Sequence, residues 1–345
     1  MSVAHRSLRN IEISVVVASS FRRELTITLE SIKDSADHAG ARCEVIVVVN
    51  GTERDKQFAF PSLPRVRYVV LQHAGKSRAL NRGISEAKGE LIAFTDDDVV
   101  VSREWLRGLW DSARRYQHEY LFCGPITPVF PDDTPEWLKR HRFAAMLFAD
   151  FRPAVQEGVL PKGILPFGPN MAVRRAAAKA VEFRLDLGPS AENGSLFGED
   201  TVYASEIVAR FGIFGRCSGA VFVPEAAVLH CQDAERFQKE ALYTRCFDIG
   251  RTRAVLRGGV SHLVCHPVLT RSLQMMRSDS EAFTDSAEIN FYCGQAAAFR
   301  AMMQRDAVDF LIGGLAIHGD PAVDASLCTP ARRLWCEERT KGARR

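Results

Sequence analysis

Four short β-branched runs, each separated from the next by residues apolar at helical spacing or by a turn, constrain this chain more than any other feature. Ile13 to Ala18 (Ile-Ser-Val-Val-Val-Ala) reads as a buried strand, after which Leu25, Leu29 and Ile32 recur on one side of a helix. Glu44 to Val49 reads as a second strand that ends at the turn pair Asn50-Gly51, and Val66 to Leu71 as a third. Gly75 to Ala87 is predicted helical, with Ala79, Leu80, Ile84 and Ala87 on one side. Leu91 to Thr95 is the fourth strand. Val101, Trp105, Leu106, Leu109, Trp110 and Ala113 mark an amphipathic helix after it. Strands alternating with helices imply βαβ units, right-handed crossovers and a mostly parallel sheet. Such sheets bind ligands beyond the carboxyl ends of their strands. Asn50 and the run Asp96-Asp97-Asp98 both fall at such ends.

The middle of the chain is less regular. Pro125 to Pro135 reads as a loop. Val159 to Pro169, rich in Gly and Pro, is expected to lead through Asn170 into a helix, Met171 to Val181. Arg184 to Ser195 reads as a polar loop and Thr201 to Phe211 as a helix with Val202, Ile207, Val208 and Phe211 on its apolar side. Ala220 to Val223 and Ala227 to Leu229 are short strands, the second ending at His230. Helices are expected over Glu235 to Arg251 and Glu288 to Arg305, with a looser tail from Pro321.

Composition excludes several classes. At 345 residues, 46% hydrophobic and 25% charged, the chain can bury a large core as one big domain or two. The net charge of +3 comes with no basic stripe interleaved with aromatics, so nucleic acid is not an expected partner. Nine scattered cysteines, none in a C-x-x-C pair, read as free thiols of a reducing compartment. No apolar run approaches the roughly 18 residues of a membrane span, and Met1 to Asn10 has no signal-peptide core.

Three adjacent carboxylates repel one another, and a fold keeps them at a strand end when something positive sits there. A divalent cation, Mg²⁺ or Mn²⁺, is the natural candidate, because it bridges carboxylates to a substrate's phosphates. A solvated acidic turn is the plainer alternative. A second acidic pair, Glu199-Asp200, follows Gly198 at the start of the Thr201 helix, where Asp200 as N-cap would satisfy the helix dipole. Lys76 and Arg78 lie near the start of the Gly75 helix, a place that favours an anion. His230 sits at a strand end as either a ligand or a satisfied histidine.

In order along the chain, these segments resemble a family 2 glycosyltransferase of the GT-A fold. Gly89-Glu-Leu-Ile-Ala-Phe-Thr-Asp-Asp-Asp98 is similar to the family's strand leading into the D-x-D motif. Gly168-Pro-Asn-Met-Ala-Val-Arg-Arg175 is similar to its acceptor-side G-x-N-x-x-x-R-R segment, and Gly198-Glu-Asp200 to its catalytic-base motif. The resemblance covers roughly Ile11 to Arg253. It implies a Rossmann-like catalytic domain over 1–230 and a C-terminal helical region, 231–345, on the acceptor side. It further implies that Ala18, Ser19 and Ser20 line a nucleotide pocket and that Asn50 lies near the base, where the family usually has a carboxylate. Asp96 would meet the ribose or support the metal, Asp98 would ligate it with Asp97 as the competing ligand, and His230 would complete the metal or diphosphate contacts. Asp200, with Glu199 beside it, would be the general base.

The implied reaction is metal-dependent transfer, with inversion, from a nucleotide-sugar donor (UDP-sugar favoured) to a sugar, lipid-linked or small-molecule acceptor. The Gln-x-x-Arg-Trp of processive synthases is absent from the Glu235 helix, so one transfer per encounter is expected. Arg251, Arg253 and Arg257 among apolar residues are a candidate contact with an anionic membrane surface, in an otherwise cytoplasmic protein. Two rivals differ in chemistry. A sugar-phosphate nucleotidyltransferase would carry a Gly-rich loop after the first strand, and Ser19-Ser20-Phe21-Arg22-Arg23 has no glycine. A non-catalytic sugar-nucleotide-binding protein would have no need of Asp96, Asp98, Asp200 and His230 together.

Overall fold

A computed structural model of the protein describes residues 11–20, 22–50, 63–140, 144–190, 194–212 and 219–237, and beyond them 241, 242, 245, 248 and 249. The architecture belongs to the first of two compact units, Met1–Phe237. It opens with β1 (Ile13–Ser19), α1 (Leu25–His38), β2 (Cys43–Asn50), β3 (Val66–Leu71), α2 (Lys76–Glu86) and β4 (Leu91–Asp96). It continues with β5 (Val99–Val101), α3 (Trp105–Arg115), β6 (Leu121–Cys123), β7 (Ile126–Val129), α4 (Glu136–Lys139), α5 (Ala144–Phe148) and β8 (Gly158–Val159). After these come β9 (Met171–Arg174), α6 (Arg175–Ala178), β10 (Gly188–Ser190), β11 (Gly194–Leu196), α7 (Glu199–Gly212), β12 (Ala220–Phe222) and β13 (Val228–Cys231).

Eight strands form the main sheet in the order β3-β2-β1-β4-β9-β6-β12-β8. The half that carries the carboxylate turn is parallel throughout, from β3 through β2 and β1 to β4. β9 runs antiparallel to both its neighbours, β4 and β6. The strands of the parallel half read as continuous apolar runs because both faces are covered. Val15, Val16, Val17, Ile46, Val47 and Val48 are fully buried. Each such side chain contributes about 1.5–3 kcal/mol relative to exposure. α2 packs on β1 and β2. α1 and α3 are locked together where the Ser35 Oγ accepts the Leu106 N–H at 3.0 Å. A second, three-stranded sheet, β5-β13-β7, carries His230 and sets it opposite Val99.

The expected strands over Ile13, Glu44, Val66 and Leu91 and the helices after Leu25, Lys76 and Trp105 are all present. Five readings are corrected. Met171–Arg174 is a strand followed by a one-turn helix, not the start of a helix reaching Val181. Its residues bond on both sides in the middle of the sheet, and a short apolar run buried on both faces carries no period to distinguish strand from helix. Val101 belongs to β5 rather than to the helix behind it. The proline-rich loop contains β7, and the polar loop after Arg184 contains the β10–β11 hairpin. His230 lies inside β13 rather than just past its end. Of the Glu235 helix, Ala234–Phe237 forms a 3-10 turn; the expected helix at Glu288 and the tail from Pro321 lie outside the described residues. Among the described residues no helix is long and apolar enough to cross a membrane.

Candidate active site

The register of the parallel half pairs Ala18 on β1 with Asp96, the last residue of β4. The turn Asp97-Asp98 is then tied down from three directions. Ser19 Oγ–H donates to Asp97 Oδ2 at 2.8 Å, and the Ser20 N–H donates to the same oxygen at 3.0 Å. Thr28 on α1 donates its hydroxyl to the Asp97 carbonyl at 3.1 Å and accepts the Val99 N–H at 3.2 Å. The Cys231 N–H, on β13, donates to the Asp98 carbonyl at 2.8 Å. The β1–α1 connection therefore serves the turn first: Ser19 is buried beneath it, and both oxygens of Asp97 are engaged, the second lying 3.6 Å from Arg22 Nε.

The positive charge that the three carboxylates require comes from the protein itself. Lys76 Nζ lies 2.8 Å from Asp96 Oδ1 and 3.5 Å from Glu199 Oε1. Arg22 binds Asp98 Oδ2 through Nη1, and Arg236 Nη2 lies 3.5 Å from the same oxygen. Burial works against the charge on Asp98, but His230, Arg22 and Arg236 outweigh it and hold the carboxyl well below the usual carboxylate range. Burial wins at Asp97, whose carboxyl is pushed up despite Arg22 and Ser19. Burial also opposes the charge on Lys76, yet Asp96, Glu199 and Asp200 hold it protonated.

A cation's place remains nonetheless. Asp98 Oδ1 is buried and has no hydrogen-bond partner. His230 Nε2 lies 3.3 Å from it without the alignment of a hydrogen bond. The other ring nitrogen, Nδ1, faces the Phe148 carbonyl at 3.3 Å. That oxygen can only accept, so Nδ1–H is the donor there and Nε2 is the ring atom left to face Asp98. His230 Nε2 and Asp98 Oδ1, 3.3 Å apart, are a nitrogen and an oxygen that would both be able to hold one divalent cation. Asp96, Asp98 and His230 each offer one ligand atom, all within 4.8 Å of one another. The backbone carbonyl on Nδ1 is the kind of outer partner that fixes a ligating histidine.

The second acidic pair stands on the other side of Lys76. The helix begins at Glu199, so Asp200 lies within its first turn rather than capping it. Asp200 Oδ2 accepts the Gly168 N–H at 2.6 Å and Oδ1 accepts the Thr201 N–H at 2.7 Å. A Cβ at Gly168 would come 3.2 Å from Asp200 Oδ2 and 3.7 Å from Lys76 Nζ, so a larger residue would crowd the Asp200 carboxylate. Glu199 is buried beneath them. Burial pushes its carboxyl up to about 7, against the pull of Lys76 and with the help of Asp200. Gly188, at φ +88°, closes over it; a Cβ there would meet Ser77 Oγ at 2.9 Å and Glu199 Cγ at 3.4 Å.

Asn50 ends β2, and its Oδ1 accepts the Gly75 N–H at 2.5 Å, so the amide oxygen holds the entry to α2 and the NH₂ is what it presents elsewhere. Arg78 lies half-buried in the first turn of the same helix. Asn170, in the acceptor-side segment, is wholly buried: it accepts Trp105 Nε1–H at 2.9 Å and donates to the carbonyls of Pro125 (3.1 Å) and Ala226 (2.7 Å). Arg174 donates to the carbonyls of Glu119, Tyr116 and Ala113. Both are parts of the scaffold. Sequence reasoning missed Arg22 and Arg236. The one available signal was the basic pair Arg22-Arg23 just past a strand end, on the same sheet edge as the acids.

The sequence that builds much of this site matches a known family. The family model described as Glycosyl transferase family 2 matches residues 14–181, from β1 through α6. It takes in the Asp96–Asp98 turn and the Gly168 segment and stops before Glu199, Asp200 and His230. The chain is also 28% identical over 261 residues to the Succinoglycan biosynthesis protein ExoM of Rhizobium meliloti (strain 1021), covering 73% of this chain and 77% of that protein. Residues 14–181 are thus a glycosyltransferase family 2 segment, and the protein is a glycosyltransferase with the GT-A fold. Among solved structures it is similar to S. aureus TarS 1-349 (TM-score 0.46, 13% identity, 86% of this chain and 92% of that one). It is also similar to the mannosyltransferase PcManGT from Pyrobaculum calidifontis, solved with GDP-Man and Mn²⁺ (TM-score 0.44, 16% identity, 96% and 85%).

Proposed function

We propose that this enzyme transfers a sugar from a nucleoside-diphosphate-sugar to an acceptor hydroxyl in a single displacement with inversion. Asp200 is the general base, and a divalent cation, Mn²⁺ or Mg²⁺, is held by Asp98, Asp96 and His230. The observation that carries this reading is the buried Asp98 Oδ1, without a hydrogen-bond partner and facing His230 Nε2. When bound, the cation supplies Lewis-acid stabilisation of the negative charge on a departing diphosphate.

The rest of the chemistry falls to the chain's own groups. The acceptor O–H has a pKa far above neutrality, so its proton must leave as the new bond forms. Asp200 takes that proton, the acceptor oxygen bonds to the anomeric carbon, and the electron pair of the broken C–O bond leaves with the nucleoside diphosphate. The Gly168 and Thr201 N–H groups aim the Asp200 carboxylate. Lys76 holds Asp96 and Glu199 together, and so fixes the separation between the donor side and the base. Ala18 and Asn50, at the ends of β1 and β2, and Ser20 beyond β1 line the edge where the nucleoside would lie.

The relative named for succinoglycan biosynthesis supports a glycan precursor as acceptor, and UDP-sugars are the first donors to try. The test is product analysis by proton NMR with a panel of nucleotide sugars and Mn²⁺. The reading predicts release of nucleoside diphosphate and an anomeric configuration opposite to the donor's. Pyrophosphate release, or a retained configuration, contradicts it.

A further inference from the structure

Arg22 and Arg236 are assigned no part in the transfer above, yet they hold two of the buried acids of the site. We propose that they are exchangeable counter-cations. They neutralise Asp97 and Asp98 before any ligand arrives and pass to the donor's diphosphate when a divalent cation takes Asp98. Cation and nucleotide then bind as a pair, and the cation alone binds weakly. The inference rests on the proposed function for the identity of the anion.

Charge balance is the first argument. Asp96 is paired with Lys76, Asp97 with Arg22, and Asp98 with Arg22 and Arg236. Three carboxylates meet three protein cations, so the cluster is nearly neutral before ligands bind. A divalent ion entering alone finds little net attraction and adds its charge beside two guanidinium groups already facing the acid it needs. A nucleoside diphosphate reverses the balance. Its phosphate oxygens give both guanidiniums a partner that suits their fork of donors at least as well as a carboxylate does.

Placement is the second argument. The acids are fixed, with Asp97 and Asp98 side chains only 7% and 5% exposed, whereas Arg22 and Arg236 are 35% and 24% exposed. Arg22 lies on the loop between β1 and α1, and Arg236 on the 3-10 turn after β13, so both can reorient without unmaking a sheet or long helix. Asp98 is also divided between its oxygens. The arginines use Oδ2 alone, and Oδ1 has no donor. Arg236 has a further partner in Gln232 Oε1 at 3.5 Å. Gln232 itself is buried, and its NH₂ donates to the carbonyls of His230 (3.2 Å) and Phe148 (3.4 Å). The guanidinium therefore leaves and returns from a fixed side.

The test is Mn²⁺ binding followed by the loss of the free-ion EPR signal, with and without UDP or GDP, on the full chain. Wild type is expected to bind Mn²⁺ alone weakly, and more tightly by roughly tenfold or more with a nucleotide that fits. Arg22→Gln is expected to bind Mn²⁺ alone roughly tenfold more tightly and the nucleotide with Mn²⁺ roughly tenfold less tightly, and Arg236→Gln to do the same. Arg22→Lys keeps the charge and is expected to bind Mn²⁺ alone as wild type does. Unchanged or weaker Mn²⁺ binding by Arg22→Gln overturns the exchange, and that arm needs neither a nucleotide nor the Arg236 variant. If neither nucleotides nor nucleotide sugars bind wild type, the proposed function falls. If they bind and Arg22→Gln alters nothing, only the exchange falls.

Discussion

Glu199→Gln should stabilise this protein, and only at higher pH. Glu199 is buried, and its carboxyl is pushed from an ordinary value of 4.5 up to about 7, chiefly by burial. A group whose folded-state pKa lies above its unfolded value favours the fold while protonated. That contribution is complete below pH 4.5 and is lost as pH rises through 7. At 1.36 kcal/mol per pH unit, the displacement from 4.5 to about 7 amounts to about 3 kcal/mol. Above pH 7 the wild type carries that cost. Glutamine has nearly the same shape and never ionises, so it carries none. The two proteins should differ little in stability near pH 5, with the variant ahead by about 3 kcal/mol at pH 8. For a cooperative unit of this size that corresponds to a rise in Tm of roughly 5–10 °C. Thermal unfolding of both proteins from pH 5 to pH 8 in one buffer series measures it. A difference that stays constant across the range refutes the reasoning, as does a variant less stable than wild type at pH 8.

Two further outcomes follow from the site and its scaffold. Asp98→Asn should weaken Mn²⁺-dependent nucleotide binding and turnover by about 10²-fold or more, because it removes one of three converging ligands; undiminished wild-type turnover in excess chelator contradicts the metal assignment. Asn170→Ala should cost about 2–4 kcal/mol in urea unfolding, since it leaves the Trp105 N–H and the Ala226 carbonyl buried without these partners and takes one of two donors from the Pro125 carbonyl, which keeps the Val228 N–H; a cost below about 1 kcal/mol contradicts the scaffold role.

The parallel half of the sheet is legible in the sequence because its strands are short β-branched runs between helices of clear period, as in β1, β2, β3 and β4. β9 is not, because Met171–Arg174 is apolar on both faces and takes its conformation from the strands on either side. β5 and β7 are three and four residues, too short for a period, and only their pairing with β13, which the sequence does show as a short strand, defines them. Within the site, the cluster of carboxylates is legible as a demand for positive charge. Its immediate answer is not. Lys76 and Arg22 come from different connections of the sheet, and Arg236 lies 138 positions beyond Asp98 in sequence numbering. No local spacing announces such a meeting. Glu199 reads as half of an acidic pair, but its burial beside Gly188, which favours the proton against the pull of Lys76, shows only in the fold. Asn170 reads as part of an acceptor segment, and only its three buried partners reveal that it supports the fold.

The central claim is that Asp200 removes the acceptor's proton, and Asp200→Asn tests it most directly. The amide keeps the shape but has one acceptor oxygen for the two N–H groups of Gly168 and Thr201, so a stability loss of about 1–3 kcal/mol is expected. The folded variant should bind nucleotide with Mn²⁺ nearly as wild type does, because that site is built from Asp96, Asp98 and His230. Its kcat should fall by roughly 10²- to 10⁴-fold, the share a positioned base supplies. The measurement is kcat together with donor Kd on protein verified as folded. Lost turnover with retained donor binding is the predicted result, and near-normal kcat contradicts the claim.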